Sequence, residues 1–354
     1  MTREIKVGGV RIGGGAPITI QSMTTLPPSD IEGSVRQILS LEAAGCDIVR
    51  LAVPDLESAH AIAEIRRQVT VPLVADIHFD YKLALASIEA GADKIRINPG
   101  NIGGRDRVRA VVSACRERKI PIRIGVNGGS LERDILEKHG GATAAALAES
   151  AVGHVRLLER EGFFDICISA KSSDVVTTVE AYRLLSKMVD YPLHLGVTEA
   201  GTEFAGTIRS VAGIGALLMA GIGDTIRVSL TAAPEREVVV ATELLRSLGL
   251  KDGGVRLISC PTCGRCKYDM LTLVAEVESR LKEQPQPQLP DTRLTIAVMG
   301  CVVNGPGEAR GADFGIAGGE GEGVLFRRGE IIGKVPQKKL VEALFDMIKY
   351  DGFG

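Results

Sequence analysis

Short apolar runs alternate with longer stretches in which apolar positions recur at helical spacing over the first 250 residues. Each short run is bounded by Gly, Pro, Asn or Asp, as strands usually are. The predicted strands are residues 18–22, 47–52, 73–76, 94–98, 122–126, 165–169, 193–197 and 225–228. The clearest helical stretches between them are residues 55–69, 105–118 and 143–160.

Eight strands that alternate with eight helices over about 250 residues predict an α/β fold of the (β/α)8 TIM-barrel type. A doubly wound open sheet is the alternative. It receives no support from a Gly-x-Gly-x-x-Gly turn after the first strand, because the sequence has none there.

The pattern changes after residue 250, which predicts a barrel domain over 1–250 and a small α+β domain over 251–354. Residues 251–254 read as a linker, and the Pro/Gln-rich residues 283–290 as an extended connection. The small domain is predicted to contain helices at 270–281 and 338–349 and strands at 295–299, 313–317, 324–328 and 330–335.

The composition narrows the class of protein. Hydrophobic residues make up 45% of the 354 residues and aromatic residues only 4%, which suits parallel strands covered by helices. The net charge of −2 argues against a nucleic-acid or membrane surface. Because no apolar signal segment follows the first residues, we expect a cytoplasmic protein whose seven cysteines are ligands or buried thiols.

Four cysteines of the small domain are spaced like metal ligands. Cys260, Cys263 and Cys266 follow one another at two-residue intervals, and Cys301 comes from a distant segment. Thiolates at this spacing bind a soft metal centre, so an iron–sulfur cluster and a structural zinc are the candidates. A zinc ribbon would usually show a second Cys-x-x-Cys pair, whereas only one cysteine lies downstream.

Cationic side chains recur at the predicted strand ends of the barrel, where active sites of this fold lie. Several arginines around one pocket fit a diphosphate better than a carboxylate. The alternative is that they are structural ion-pair residues. The cations are Arg50, Arg96, Arg123, Lys171 and Arg227. Glu199 stands among them as a general acid/base or an ion-pair partner, and His78 as a phosphate donor, a proton relay or a structural residue.

Several longer motifs resemble those of a known family. They include Gln21-Ser-Met-Thr-Thr25, Ala75-Asp-Ile-His-Phe79, Arg123-Ile-Gly-Val-Asn127 and, around the cysteines, residues 259–265 and 299–309. Together they resemble the GcpE/IspG family of flavodoxin- or ferredoxin-dependent 4-hydroxy-3-methylbut-2-enyl diphosphate synthases. The resemblance covers essentially the whole chain and matches the short, two-domain bacterial form.

The resemblance implies an oxidoreductase of the non-mevalonate isoprenoid pathway. Its reaction is the two-electron reductive ring opening and dehydration of 2-C-methyl-D-erythritol 2,4-cyclodiphosphate. Family members hold a [4Fe–4S] cluster, take electrons from flavodoxin or ferredoxin, and assemble as head-to-tail homodimers in which one chain's cluster domain closes the partner's barrel.

The resemblance also assigns residues to roles. The cluster ligands would be Cys260, Cys263, Cys301 and Glu308. The diphosphate-binding residues would be Arg50, Arg96, Arg123, Asn127, Lys171, Arg227 and Ser229. The residues near the reacting carbons would be Asp76, His78, Thr198 and Glu199, with Glu199 the candidate proton donor.

Two other classes of function stay open from the residues alone. One is an electron-carrying iron–sulfur protein with an incidental barrel, which would need no ring of cations. The other is a zinc-stabilised barrel aldolase, which would be colourless.

Overall fold

The computed structural model describes residues 1–266, 268–283, 294–301 and 305–351, with the side chains of residues 282 and 283 excluded. The chain divides into two compact units, Met1–Lys251 and Asp252–Gly354. Most of the predicted Pro/Gln connection and Asn304 of the second cysteine motif lie outside the described residues.

The first unit contains an eight-stranded parallel barrel, which confirms the predicted fold class. Its sheet has the order β8-β7-β6-β5-β4-β3-β10-β9. A parallel bridge between Ile168 and Leu193 joins the two ends of this order and closes the barrel. The barrel strands are β3 (Thr19–Met23), β4 (Ile48–Ala52), β5 (Leu73–Asp76), β6 (Lys94–Ile97), β7 (Ile122–Asn127), β8 (Ile166–Lys171), β9 (His194–Leu195) and β10 (Thr225–Ile226).

Helices cover the outside of the barrel, and acidic N-cap residues start several of them. Asp30, Asp55, Asp80 and Asp174 each accept a backbone N–H of the first turn, which satisfies a donor that the helix itself leaves free. The helices are α1 (Ile31–Ala43), α2 (Leu56–Arg66), α3 (Tyr81–Glu89), α4 (Arg105–Arg118), α5 (Arg133–His139), α6 (Ala144–Arg160), α7 (Val175–Met188), α8 (Glu203–Met219) and α9 (Pro234–Ser247).

Residues 1–251, all of which the structure describes, therefore hold nine α-helices instead of the predicted eight. The additional one is α5, which follows a short 3₁₀ turn at Gly128–Ser130 after β7. It buries none of its residues, so it lacks the apolar stripe from which the other helices were predicted.

An antiparallel hairpin that the sequence pattern did not predict precedes the barrel. It consists of β1 (Ile5–Val7) and β2 (Val10–Ile12). Ile5, Val7 and Ile12 are buried in one cluster with Ile48, Val74 and Cys167 of the barrel strands. Since these strand residues lie at or near the first positions of β4, β5 and β8, the hairpin covers the amino-terminal end of the barrel.

The second unit is an α+β domain around a mixed five-stranded sheet of order β11-β12-β13-β14-β15. Its strands are β11 (Val255–Ser259), β12 (Leu294–Met299), β13 (Phe314–Gly318), β14 (Glu322–Arg327) and β15 (Glu330–Pro336). Its helices are α10 (Met270–Glu283), α11 (Gly305–Glu308) and α12 (Leu340–Tyr350), with a 3₁₀ turn at Gln337–Lys339. None of the helices described in either unit is long and apolar enough to cross a membrane.

The hairpin should contribute measurably to barrel stability. Ile12 is completely buried, so Ile12→Ala should lower the free energy of unfolding by about 2–5 kcal/mol through lost apolar burial and the cavity left behind. Urea titration followed by circular dichroism measures this change. The exposed Lys6 of the same hairpin provides the control, Lys6→Ala, and equal unfolding midpoints for the two variants would contradict a structural role of the hairpin.

Candidate active site

The five predicted cations lie on or directly after five different strands of the barrel. Lys171 and Arg227 stand at or beyond the strand ends, whereas Arg123 is the second residue of its strand. Arg50 is in β4, Arg96 in β6, Arg123 in β7 and Lys171 at the end of β8, while Arg227 follows β10. Arg96, Arg123 and Lys171 are each less than 8% exposed. Parallel strands direct alternate side chains into the barrel, so these residues share one interior.

Asp76, the last residue of β5, is the centre of an ion-pair group. Its carboxylate lies 3.0 Å from Arg96 Nη1 and 3.6 Å from Arg50 Nε. His78 Nε2 lies 3.6 Å from the same carboxylate. Burial by itself would raise the pKa of Asp76, but Arg50, His78 and Arg96 outweigh burial and hold this pKa well below its usual range. Asp76 is therefore an anion that fixes two guanidinium groups.

The charges around Lys171 have the same sign as its own, whereas those around Asp76 have the opposite sign. Burial and the neighbouring Arg123, Arg50, Arg227 and Arg96 lower the pKa of its ammonium group well below the usual value. Burial and Arg96 likewise lower the pKa of Arg123 to about 10, with Asp76 acting against them. Both shifts are caused first by burial and then by the neighbouring cations, and an interior with more positive than negative charge attracts a polyanion.

Two glycines make room for the cations. A Cβ atom at Gly125 would lie 2.2 Å from Arg96 Nε, and one at Gly196 would lie 2.6 Å from Lys171 Nζ. Both distances are too short for any side chain to coexist with the cation. Arg96 Nη2 also donates to the carbonyl oxygen of Gly125 at 3.1 Å, so the absent side chain allows this close approach.

A polar cavity of about 530 Å³ opens at the carboxyl end of the barrel. The predicted residues among its lining are His78, Arg96, Asn127, Thr198 and Glu199. Its other polar side chains are Asn98, Asn101, Ser130, Ser172 and Ser173, none of which the site prediction included. They stand on the loops that follow β6, β7 and β8, and their signal in the sequence was a position at or within four residues of the end of a predicted strand.

Glu199 occupies an unusual backbone position. It is exposed in the turn after β9, and its φ angle of 52° lies in the left-handed region that residues with a Cβ seldom adopt. The preceding Thr198 is tied by its backbone N–H to the carbonyl oxygen of Ser172 at 3.2 Å. Strained residues of this kind concentrate at functional sites. Ser229 is half-buried after β10.

Sequence reasoning missed several residues that contact the cations. Ser169 Oγ accepts from Arg123 Nη1 at 2.6 Å, and Glu237 of α9 lies 3.5 Å from Arg227 Nε. The sulfur of Met23 accepts from Arg50. Ser169 is 46 residues from Arg123 and Met23 is 27 residues from Arg50, each on another strand, so spacing could not reveal these two contacts.

The cysteines of the second unit gather at the carboxyl ends of two adjacent parallel strands. Cys260 directly follows β11, and Cys301 comes two residues after β12, with which β11 pairs in parallel. The backbone N–H of Gly300 donates to Cys260 Sγ at 3.0 Å. A Cβ at Gly300 would lie 3.2 Å from Cys260 Sγ and 3.4 Å from Cys266 Sγ, so glycine leaves space above two thiols.

This donor set fits a thiolate-bound cluster by its chemistry. The fit rests on soft thiol donors at one edge of the sheet and on the N–H···S bond to Cys260. Cys263 and Glu308 are exposed, and Cys260, Cys266 and Cys301 are half-buried. Among the residues that the structure describes, no three Cys, His, Asp or Glu side chains surround one point closely enough to hold a metal ion.

Fold and site define a class: a TIM-barrel protein with a buried group of cations, joined to an α+β unit that carries four cysteines. The chain belongs to the GcpE family, because residues 2–242 match the GcpE TIM-barrel domain and residues 256–350 match the GcpE protein C-terminal domain. This confirms the family resemblance inferred from the motifs.

Curated relatives agree over nearly the full length. Proteins of Caldanaerobacter subterraneus subsp. tengcongensis and Geobacter sulfurreducens are 58% and 57% identical to this chain. The matches cover 99% and 97% of this chain, and 97% and 96% of the relatives. Another, from Fusobacterium nucleatum, is 56% identical over 99% of this chain and 97% of its own length. All three are named 4-hydroxy-3-methylbut-2-en-1-yl diphosphate synthase (flavodoxin).

The glycine that accommodates Arg96 offers a test of the polyanion site. Gly125→Ala should leave the fold intact, since the atoms that its methyl meets belong to a movable side chain, but it should displace the guanidinium of Arg96. Loss of one charged contact should weaken binding of inorganic pyrophosphate about tenfold or more, measured by titration calorimetry. Gly153→Ala, on the exposed face of α6, is the matched control, because a Cβ there meets nothing within 4 Å. Equal affinities in the two variants would mean that Arg96 does not contact the anion.

Proposed function

We propose that this chain is a 4-hydroxy-3-methylbut-2-enyl diphosphate synthase. It opens the ring of 2-C-methyl-D-erythritol 2,4-cyclodiphosphate and removes a hydroxyl group as water, giving (E)-4-hydroxy-3-methylbut-2-enyl diphosphate. The reaction consumes two electrons and one proton and leaves the diphosphate with one more negative charge. Membership of the GcpE family and the names of its relatives support this proposal.

The single observation that carries the proposal is the group of five cations toward one end of the barrel. Two buried carboxylates, Asp76 and Glu237, contact this group from within residues 1–251, so positive charge is left over for a ligand. A cyclic diphosphate brings the negative charge that the interior lacks, and ring opening adds to it. An iron–sulfur electron carrier would have no use for such a pocket.

We assign roles within the site on this basis. The diphosphate would be bound by the cations together with the polar residues of the cavity wall, and the assigned residues are Arg50, Arg96, Arg123, Asn127, Lys171, Arg227 and Ser229. Asp76 and His78 would orient Arg50 and Arg96, which they contact. Glu199, exposed to the cavity beside Thr198, would deliver the proton to the departing hydroxyl group.

The second unit would hold a [4Fe–4S] cluster through Cys260, Cys263, Cys301 and Glu308. When bound, the cluster would supply the two electrons. A carboxylate in the fourth position is harder and more readily exchanged than a thiolate, so Glu308 could give way to a substrate oxygen. Cys266, whose sulfur lies beside Gly300 as that of Cys260 does, is the competing ligand.

Flavodoxin is the proposed electron donor, following the names of the relatives. The proposed location is the cytoplasm, since seven free cysteines suit a reducing compartment. The anion pocket and the cysteines lie on separate compact units. We propose that the two are supplied by different chains of the head-to-tail homodimer that the motifs imply.

The direct test is turnover. The protein, purified and reconstituted with iron and sulfide under anaerobic conditions, is given the cyclic diphosphate and reduced flavodoxin, and the linear product is measured by mass spectrometry. A brown protein that forms the product supports the proposal. A reconstituted protein with full iron content that binds the cyclic diphosphate but forms no product would contradict it.

Glu199→Gln should separate chemistry from binding. The amide keeps the size and hydrogen-bonding capacity of the side chain but cannot give up a proton in the same way. We expect normal iron content and substrate affinity with turnover reduced roughly 10²–10⁴-fold. Glu203→Gln, on the exposed start of α8, is the control. Full activity of Glu199→Gln would transfer the proton-donor role to another group.

Serine substitutions of the four clustered cysteines should sort ligands from non-ligands. Cys260→Ser, Cys263→Ser and Cys301→Ser should each lose most of the bound iron, because each removes a thiolate. Cys266→Ser should retain iron and activity. The readouts are iron per chain and the visible absorption spectrum. A colourless, inactive Cys266→Ser variant would indicate that Cys266, and not Glu308, is the fourth ligand.

A further inference from the structure

The thioether of Met23 lies between two guanidinium groups of the anion pocket. Met23 is the last residue of β3, and its sulfur is 3.1 Å from Arg50 Nε and 3.0 Å from Arg50 Nη2. On the other side, Arg227 Nη1 lies 3.7 Å from the same sulfur. β3 pairs with β4 and with β10, so one uncharged side chain contacts a cation contributed from each side.

The two guanidinium groups repel each other. Burial lowers the pKa of Arg50 strongly; Asp76 opposes this, and Arg227 adds to the lowering, followed by Arg123 and Arg96. Without a partner between them, Arg50 and Arg227 would lower their electrostatic free energy by moving apart, away from a common ligand. The sulfur gives both an acceptor at a shared position and so keeps them facing the same space.

Each of the two arginines also has a carboxylate near its Nε atom. Arg50 Nε lies 3.6 Å from Asp76, and Arg227 Nε lies 3.5 Å from Glu237. Glu237 is itself fixed, because it accepts from Ser22 Oγ at 2.9 Å and from the backbone N–H of Leu230 at 3.1 Å. Each guanidinium therefore contacts a carboxylate of its own and the shared thioether.

The chemistry of the central position matters. A thioether is a weak, neutral acceptor, so it can orient N–H groups without cancelling their charge. A third carboxylate at this position would cancel positive charge that the rest of the cation group leaves for a ligand, and a hydrocarbon would offer no acceptor. A polyanion site needs arginines that are oriented and still charged, and methionine meets both needs.

We propose that Met23 is a positioning residue for diphosphate binding, with its sulfur holding Arg50 and Arg227 side by side and fully charged toward the ligand. The proposal rests on the proposed function, which supplies the diphosphate. It gives a role to the motif Gln21-Ser-Met-Thr-Thr25, in which Ser22 supports Glu237 and Met23 supports the two arginines.

Three substitutions separate the acceptor, the volume and the charge of this side chain. Met23→Leu keeps an apolar side chain of similar size and removes the acceptor. Met23→Gln keeps a neutral acceptor, and Met23→Glu adds a negative charge. Met219→Leu, on the exposed end of α8, makes the same chemical change far from the pocket and serves as control.

The measurements are affinity for inorganic pyrophosphate and for the cyclic diphosphate, by anaerobic titration calorimetry of the reconstituted enzyme, together with KM and kcat. Met23→Leu should weaken both ligands about three- to tenfold, the worth of one modest hydrogen bond, and raise KM with kcat within about twofold. Met23→Gln should recover most of the affinity. Met23→Glu should bind more weakly than Met23→Leu.

The outcomes distinguish this inference from the proposed function. If the unmodified enzyme binds neither pyrophosphate nor the cyclic diphosphate, the diphosphate function fails and this inference fails with it. If the unmodified enzyme binds both, and Met23→Leu binds as tightly as Met219→Leu, only the role of Met23 is refuted. A weakened Met23→Leu that Met23→Gln does not restore would show that Met23 acts through packing, which also overturns the proposal.

Discussion

The arrangement of the barrel depends on one electrostatic constraint, the burial of five cations toward its carboxyl end. Removing charged groups from water costs several kcal/mol per ion unless partners replace the water. Asp76 and Glu237 replace part of it, and Ser169 and Met23 provide further acceptors. What remains is an excess of positive charge among these groups, which adds to burial in lowering the pKa values of Lys171 and Arg123. Under the proposed function a polyanion supplies the missing negative charge, which would link ligand binding to barrel stability.

The same constraint explains details that would otherwise look unrelated. Gly125 and Gly196 lack side chains because Arg96 and Lys171 occupy the space where a Cβ would stand. The hairpin of β1 and β2 places apolar residues at the opposite end of the barrel, where Ile48 and Val74 continue the apolar layer. Apolar residues therefore cover the amino-terminal end of the barrel, and charged residues cluster toward the other end. The polar interior departs from the layers of Val, Ile and Leu that usually fill this fold.

Much of the fold and part of the site could be predicted from local patterns. Apolar runs bounded by Gly, Pro, Asn and Asp gave the eight barrel strands, because buried parallel strands need little beyond such a run. The group of cations could be predicted because the carboxyl ends of the strands meet at one end of this fold. The hairpin was missed since its strands have three residues each, too few to show a period. Met23 and Glu237 were missed for another reason: their partners are set by the closure of the barrel, which joins β3 to β10 across some 200 residues.

The two units differ in how the protein supports their polar side chains. In both, the chemistry stands where parallel strands end, and in the second unit the crossover from β11 to β12 brings Cys260 and Cys301 to neighbouring positions. The barrel site is organised in advance, since Asp76, Met23 and Glu237 hold its cations in place. The thiols have one described support of this kind, the N–H of Gly300 on Cys260. Under the proposed function these thiols bind their metal as thiolates, and thiolates repel one another unless a metal neutralises them. That proposal would couple folding of the cysteine region to its ligand, whereas the cations of the barrel have protein partners of their own.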